Sequence, residues 1–210
     1  MADASNDVLM KVVNKGHAIA SENLTVFART MDSLRVGFVL GQFFALHSFS
    51  FSVGSEFALA KRKAEAAAAA QKADEKTSLG EKPTLRAAPV VVVPLATDSN
   101  SDFVDIQPVE FTRAFDMAST ALFTLLVASQ TVDSITVVKR KAAGSKNAGE
   151  IYLRLDFEKV LLTELKWKEN GNNVVETGSF IYRELRIQYR PQRADGSLGS
   201  VIPGDWKMRS

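Results

Sequence analysis

Hydrophobic and polar residues alternate with a period of two along much of this chain, as they do in half-buried β-strands. In residues 48–54 the alternation places Phe49, Phe51 and Val53 on the inward side and serines on the outward side. In residues 180–189 Arg183 falls on the apolar side, which predicts a bulge near it. The other alternating segments are residues 7–13, 134–141, 151–158 and 180–189. The pattern therefore predicts a mainly β fold.

One segment, residues 117–128, departs from this pattern and predicts a short α-helix. Asp116 precedes it as an N-cap residue, and nine of its twelve residues are apolar while none is charged. The large side chains lie on two faces, Leu122, Leu125 and Leu126 on one and Phe123 and Val127 on the other. Burying a Leu or Phe side chain is worth about 1.5–3 kcal/mol, so both faces need cover. We expect the chain's own sheet to cover one face. Either a neighbouring subunit or the same chain covers the second.

Composition excludes several classes of function. The 26 basic and 24 acidic residues give a net charge of +2, too weak to indicate nucleic acid or an anionic membrane as the partner. The absence of cysteine excludes disulfides, a thiolate nucleophile and a cysteine-built zinc site. The apolar run 36–46 is interrupted by Gly41 and is too short to span a membrane, so we interpret it as core. Residues 1–7 lack the basic residues of a secretory signal.

An Ala/Lys/Glu-rich stretch interrupts the β pattern at about residues 56–100. It has high helix propensity but no apolar stripe, so it is either a charged helical arm or a solvated, disordered loop. We therefore predict a single domain over residues 1–210 with an expanded insertion at about 56–100.

Few residues suggest chemistry. His17 and His47 lie beside no carboxylate or nucleophile in sequence. Asp156 and Glu158 project to one face of a predicted strand, as a hydrolase's acid and base could, but Arg154 shares that face and a charge-balanced surface explains all three. No phosphate-binding loop, nucleophile elbow or metal-ligand spacing occurs. We expect neither a cofactor nor enzymatic activity.

Several short motifs together resemble the haemolysin-coregulated protein (Hcp) family, the tube proteins of bacterial type VI secretion systems. In chain order they are residues 111–113, 116 and 119, 140–144, 152–153, 160–161, 176–177 and 189–196, with Trp206 beyond. The resemblance covers residues 102–209 well and the earlier strands more loosely. It implies a small two-sheet β-barrel with one short helix, assembling as hexameric rings that stack into a tube. This chain departs from the pattern in its longer 17–46 region and in the insertion.

The resemblance also implies sites and partners. The expected subunit interface comprises Phe111, Asp116, Leu122, Phe123, Leu126, Val127 and Trp206, and the expected ring-stacking loop contains Lys61, Arg62, Lys63 and Arg86. Implied partners are further copies of the chain, the spike protein VgrG, the contractile sheath and effector proteins, with no nucleic acid and no stable membrane insertion. Such a protein leaves the bacterial cytoplasm by secretion without a cleaved signal peptide.

Three other functions remain open at this point. The first is the tail tube of a related contractile particle, such as a phage tail or an extracellular injection system, with the same barrel. The second is a hydrolase that uses Asp156 and Glu158. The third is a β-barrel carrier of a small apolar ligand, although the polar strand faces offer no apolar cup.

Overall fold

The computed structural model describes residues 8–23, 33–55, 104–141 and 149–208. These residues form twelve strands, one α-helix and a short 3-10 turn at Ser33–Arg35. The strands are β1 Val8–Asn14, β2 His17–Ala18, β3 Phe44–Leu46, β4 Ser48–Ser50, β5 Val53–Ser55, β6 Val104–Ile106, β7 Val109–Ala114, β8 Thr131–Arg140, β9 Ile151–Asn170, β10 Asn173–Ile181, β11 Glu184–Tyr189 and β12 Ile202–Lys207, and the helix is α1 Met117–Val127. The prediction of a mainly β fold with one short helix is confirmed.

The chain divides into two compact units, Met1–Ser52 with Pro108–Ser210, and Val53–Gln107. The described part of the second unit is a two-stranded antiparallel sheet of β5 and β6. The Ala-rich stretch predicted as an insertion lies outside the described residues. The prediction of a single domain over the whole chain stays a prediction.

The first unit contains an antiparallel sheet in the order β2-β1-β8-β9-β10-β7-β4. Its longest strand, β9, has 20 residues and changes partners along its length. Residues 153–158 pair with β11, and residues 161–170 pair with β10. Lys159 lies between these two stretches with a positive φ of 54°, so the backbone bends where the partner changes. β12 pairs with β11.

The strand order of this sheet leads back from β4 to β1 through one short segment. β3 pairs with β1 and β4 pairs with β7, while only His47 separates β3 from β4. The His47 backbone N–H donates to the Thr112 carbonyl oxygen at 2.7 Å. This circuit is compatible with the predicted barrel.

The inner face of the sheet holds most of the core, because residues paired across neighbouring strands share a face. Met10, Val137 and Leu155 form one such row. The Phe157 ring lies in the next row, 5.2 Å from the Phe180 ring and 4.8 Å from the Tyr182 ring.

The outer face of β1 is covered by the segment 33–43. Leu9 packs there in a buried cluster with Leu34, Phe38, Phe43, Val138 and Ile151. Leu9 is therefore buried on a face of β1 that it shares with the half-buried Lys11. The interpretation of residues 36–46 as core was right only in part, since three of its apolar side chains are more than half exposed, namely Val36, Val39 and Leu40.

Two cations hold this segment in place through backbone carbonyls. The Lys11 ammonium donates to the Gly37 oxygen at 2.5 Å, and the Arg154 guanidinium donates to the oxygens of Leu34 and Val36, both at 2.9 Å. Partial burial and the nearby Arg154 charge lower the pKa of Lys11 below its usual range.

Two predicted strands are broken in the structure. The segment 48–54 is interrupted at Phe51 and Ser52, and Val53 is 53 % exposed, so its predicted inward position was wrong. The segment 180–189 is interrupted at Tyr182 and Arg183, where sequence parity had predicted an irregularity. Here the chain leaves the β10 pairing with residues 161–170 of β9 and enters the β11 pairing with residues 153–158.

Candidate subunit interface

The helix begins where the sequence predicted, because Asp116 and Ser119 form a reciprocal cap. The Asp116 carboxylate accepts a hydrogen bond from the Ala118 N–H at 2.8 Å, and the Ser119 hydroxyl oxygen accepts one from the Asp116 N–H at 3.3 Å. These contacts satisfy N–H groups that the first helical turn leaves without intrahelical partners. α1 ends at Val127, and Ala128 is its C-cap.

A buried ion-pair network fixes this cap to the sheet. Arg113 is fully buried, and its Nε donates to Glu176 Oε1 at 2.8 Å. Its Nη2 donates to Asp116 Oδ1 at 2.5 Å and to Ser119 Oγ at 2.8 Å. The guanidinium also lies 4.2 Å from the centre of the Phe44 ring. The network therefore joins β7, β10 and the N-terminus of α1.

The network extends to the surface through Trp167. The second oxygen of Glu176, Oε2, accepts a hydrogen bond from the Trp167 indole N–H at 2.8 Å. The Trp167 ring centre lies 5.7 Å from that of Phe115 and 5.6 Å from that of Phe123. These three residues, which we call the aromatic patch, are 47 %, 42 % and 46 % exposed respectively. Large aromatic side chains with this exposure side by side are typical of an interaction surface.

The two faces of α1 have different surroundings, as its pattern predicted. Leu122 and Leu125 are buried within the chain, whereas Phe123 and Val127 are exposed, Val127 by 67 %. Leu126 is half-buried. One flank of the helix is therefore covered by the chain itself, whereas the other remains largely exposed, with Trp167 against part of the Phe123 ring.

The predicted interface residues do not all lie on this flank. Phe111 and Leu122 are 1 % and 0 % exposed, which leaves them almost no surface for a second copy. Asp116 is held in the cap. Trp206 lies on β12, half-buried, with its ring 6.0 Å from that of Tyr182. The exposed Trp167 and Phe115 were not singled out from the sequence, because neither belongs to an apolar stripe. The predicted stacking residues Lys61, Arg62, Lys63 and Arg86 lie outside the described residues.

The outer face of β9 and β11 carries charged side chains that form ion pairs and hydrogen bonds. Arg154 Nε donates to Asp156 Oδ2 at 2.8 Å, and the Thr136 hydroxyl donates to Asp156 Oδ1 at 2.8 Å. Glu184 accepts hydrogen bonds from Lys159 and Lys207, which lower the pKa of its carboxyl. These contacts give the charge-balanced strand surface that the sequence suggested as the alternative to an acid–base pair.

Neither a metal cluster nor a membrane-spanning helix is found in the part of the chain that the structure describes. Its His, Asp and Glu side chains form no group of three or more that could hold a metal ion. None of its helices is long and apolar enough to cross a bilayer.

Several solved structures share this fold at low sequence identity. A type six secretion system protein is 16% identical with a TM-score of 0.61, and the match covers 96% of this chain and 94% of that one. A type VI secretion system effector from Yersinia pestis is 13% identical with a TM-score of 0.56, covering 96% and 100%. Hcp2 from Salmonella typhimurium is 12% identical with a TM-score of 0.53, covering 97% of each chain. At these identities the likeness shows the fold.

Part of the sequence matches a protein family. No curated protein matches the chain. Residues 90–189, however, match the family described as "Type VI secretion system effector, Hcp". This range contains the cap, the helix, Arg113, Glu176 and Trp167. Residues 90–189 of this chain are therefore similar to the Hcp family of type VI secretion system proteins.

Proposed function

We propose that this protein is the structural subunit of a type VI secretion tube, forming hexameric rings that stack and carry effectors in their lumen. Residues 90–189 match a family of secreted tube proteins rather than enzymes, which supports the expectation that the chain is not an enzyme. The family match also favours this function over the tail tube of another contractile particle. The observation that carries the proposal is the largely exposed flank of α1.

That flank suits a contact between copies. It holds no charged residue, and it is continuous with the aromatic patch through Phe123. Aromatic side chains are enriched at protein interfaces, and each of the three rings of the patch still exposes almost half of its surface. A closed ring uses a heterologous contact, in which this surface of one copy meets a different surface of the next. Ring formation would thus cover the second face of the helix.

Electron microscopy and light scattering of the purified protein test the proposal. We expect annular particles and a mass several times that of the 22.9 kDa chain at micromolar concentration. Phe123→Asp should lower assembly strongly, because it places a charge in an apolar contact. Val36→Asp is the matched control, since Val36 is 70 % exposed and lies in segment 33–43. Circular dichroism should show that both variants fold.

Two results would contradict the proposal. One is a monodisperse monomer of the wild-type chain at micromolar concentration. The other is a folded Phe123→Asp variant that assembles as well as the wild type.

The same proposal includes the stacking of rings and the protein partners of the tube. The loop with Lys61, Arg62, Lys63 and Arg86 would touch the next ring, and VgrG, the sheath and the effectors would be the protein partners. The subunit would be made in the bacterial cytoplasm and leave it without a cleaved signal peptide. Removal of the basic charges in this loop should shorten stacks while leaving single rings intact.

A further inference from the structure

We propose that Trp167 is the anchor residue of the contact between copies and that the buried carboxylate of Glu176 is its positioning residue. This inference rests on the proposed function, because it takes a second copy of the chain as the occupant of the aromatic patch. It names the residue on which the strength of that contact depends.

Trp167 presents an apolar surface because its polar atom is already bonded. Trp167 and Glu176 are directly paired across β9 and β10, and the indole N–H donates to Glu176 at 2.8 Å. Covering a tryptophan normally requires the partner to supply an acceptor for this N–H. Here a second copy covers the exposed part of the ring without leaving the donor unpaired.

The Trp167 ring is also held in position in the free subunit, before any contact with a second copy forms. Phe115 stands edge-on to it at 82°, and Phe123 lies against it at 45°. Glu176 is fixed by fully buried Arg113, which is fixed in turn by Asp116 and Ser119. A side chain that is ordered in the free subunit loses little conformational entropy on binding. Tryptophan in such a setting is the residue type most enriched at the energetic centre of interfaces.

The surroundings favour a second copy over a charged partner. α1 carries no charged side chain, and the chain's net charge is +2. A nucleic acid or an anionic membrane requires clustered basic residues beside exposed aromatics. The two lysines that flank Trp167 are opposed by two acids in the same strand, Glu164 and Glu169, and Lys166 is paired with Glu164 at 2.7 Å. The patch is instead continuous with the helix flank assigned above to the next copy.

Three single variants test the inference by the concentration at which half of the protein is assembled. Trp167→Ala removes the ring and should raise this concentration by about tenfold or more. Trp167→Phe keeps an aromatic ring but cannot donate to Glu176, so it should give a smaller rise. Tyr189→Ala is the matched control, because Tyr189 is an aromatic residue of β11 that is 40 % exposed and lies outside the aromatic patch, and it should assemble as the wild type.

Fluorescence supplies an independent readout. In the Trp206→Phe chain, Trp167 is the sole tryptophan, and its emission should shift to shorter wavelength as rings form. Adding Glu176→Met, which removes the acceptor oxygen, should broaden and red-shift the emission of the unassembled protein, because the indole loses its fixed orientation. If that variant does not fold, Trp167→Phe carries the test of positioning.

The outcomes separate the two proposals. If Trp167→Ala assembles as the wild type while Phe123→Asp does not, the anchor role is refuted and the tube function stands. If Trp167→Phe matches the wild type while Trp167→Ala does not, the positioning role of Glu176 is refuted. If the wild type never assembles, the tube function falls and the anchor role falls with it.

Discussion

Replacing Arg113 by methionine should lower the free energy of unfolding by about 3–5 kcal/mol. Arg113 and Glu176 are both fully buried, and their charged atoms lie 2.8 Å apart. Without the guanidinium, the Glu176 carboxylate is a buried charge with no counterion, while Asp116 and Ser119 lose their link to the sheet. Methionine has a similar length and flexible packing, so the cavity left behind adds little. The loss is large against the roughly 5–15 kcal/mol by which domains are stable.

A second substitution distinguishes the destabilisation caused by the buried charge from that caused by lost packing. Arg113→Met combined with Glu176→Gln removes both charges and leaves an amide oxygen that can accept the Trp167 N–H. This double variant should recover much of the loss, because replacing a whole buried pair by neutral groups is often close to neutral. Arg186→Met is the matched control, since Arg186 pairs with Asp205 at an exposed position and its loss should leave stability unchanged within error.

Urea unfolding followed by tryptophan fluorescence measures these differences. All variants must be compared at one protein concentration, because assembly stabilises the folded subunit by mass action. The reasoning is refuted if Arg113→Met unfolds at the same urea concentration as Arg186→Met. It is also refuted if the double variant is as unstable as Arg113→Met alone, since the buried charge would then not be the cause.

Two further outcomes follow from other contacts. Gly178→Ala should cost about 1–3 kcal/mol in urea unfolding, because an added Cβ would overlap the Phe111 ring, whereas at Gly204 it would meet only Ile187 Cβ at 4.0 Å, an ordinary contact distance, and should cost far less. In an NMR titration the Glu184 carboxyl should show a pKa below the ordinary value of about 4.3, and Lys159→Ala should raise it. This depressed pKa contributes stability that is present above the ordinary carboxyl pKa and is lost as the pH falls through the folded-state value. An unchanged Glu184 pKa in the Lys159 variant would contradict the assignment.

The sequence predicted the elements whose signals are local. An N-cap residue followed by a run without charge predicted the helix, and alternation with a period of two predicted most of the strands. Both signals lie within neighbouring residues, so the approximate positions of these elements could be inferred from the sequence. β9 was predicted to be shorter than it is, because its apolar alternation fades after Phe157 while its pairing with β10 continues to Asn170.

The candidate site was harder because it depends on contacts between distant residues. Trp167 lies in a charged segment, and its hydrogen-bond partner Glu176 lies on the other strand of a hairpin. Neither residue therefore belongs to an apolar pattern that the sequence would reveal. Arg113 and Glu176 both fall within motifs that carried the family resemblance, yet sequence does not show that their charges meet in the core. Apolar character alone also cannot separate a core residue such as Phe111 from an interface residue such as Phe123.

The position of β1 in the sheet has a consequence for how this chain is made. β1 pairs with β8 from Val8 to Val13, and Val13 meets Ser134, more than a hundred positions later. Ribosomes add about 5–20 residues per second, so the first strand waits several seconds for its main neighbour. During that interval Met10 and Val12 lack the partners that bury them in the finished protein. β1 can therefore take its place beside β8 only after more than half of the chain has been synthesised.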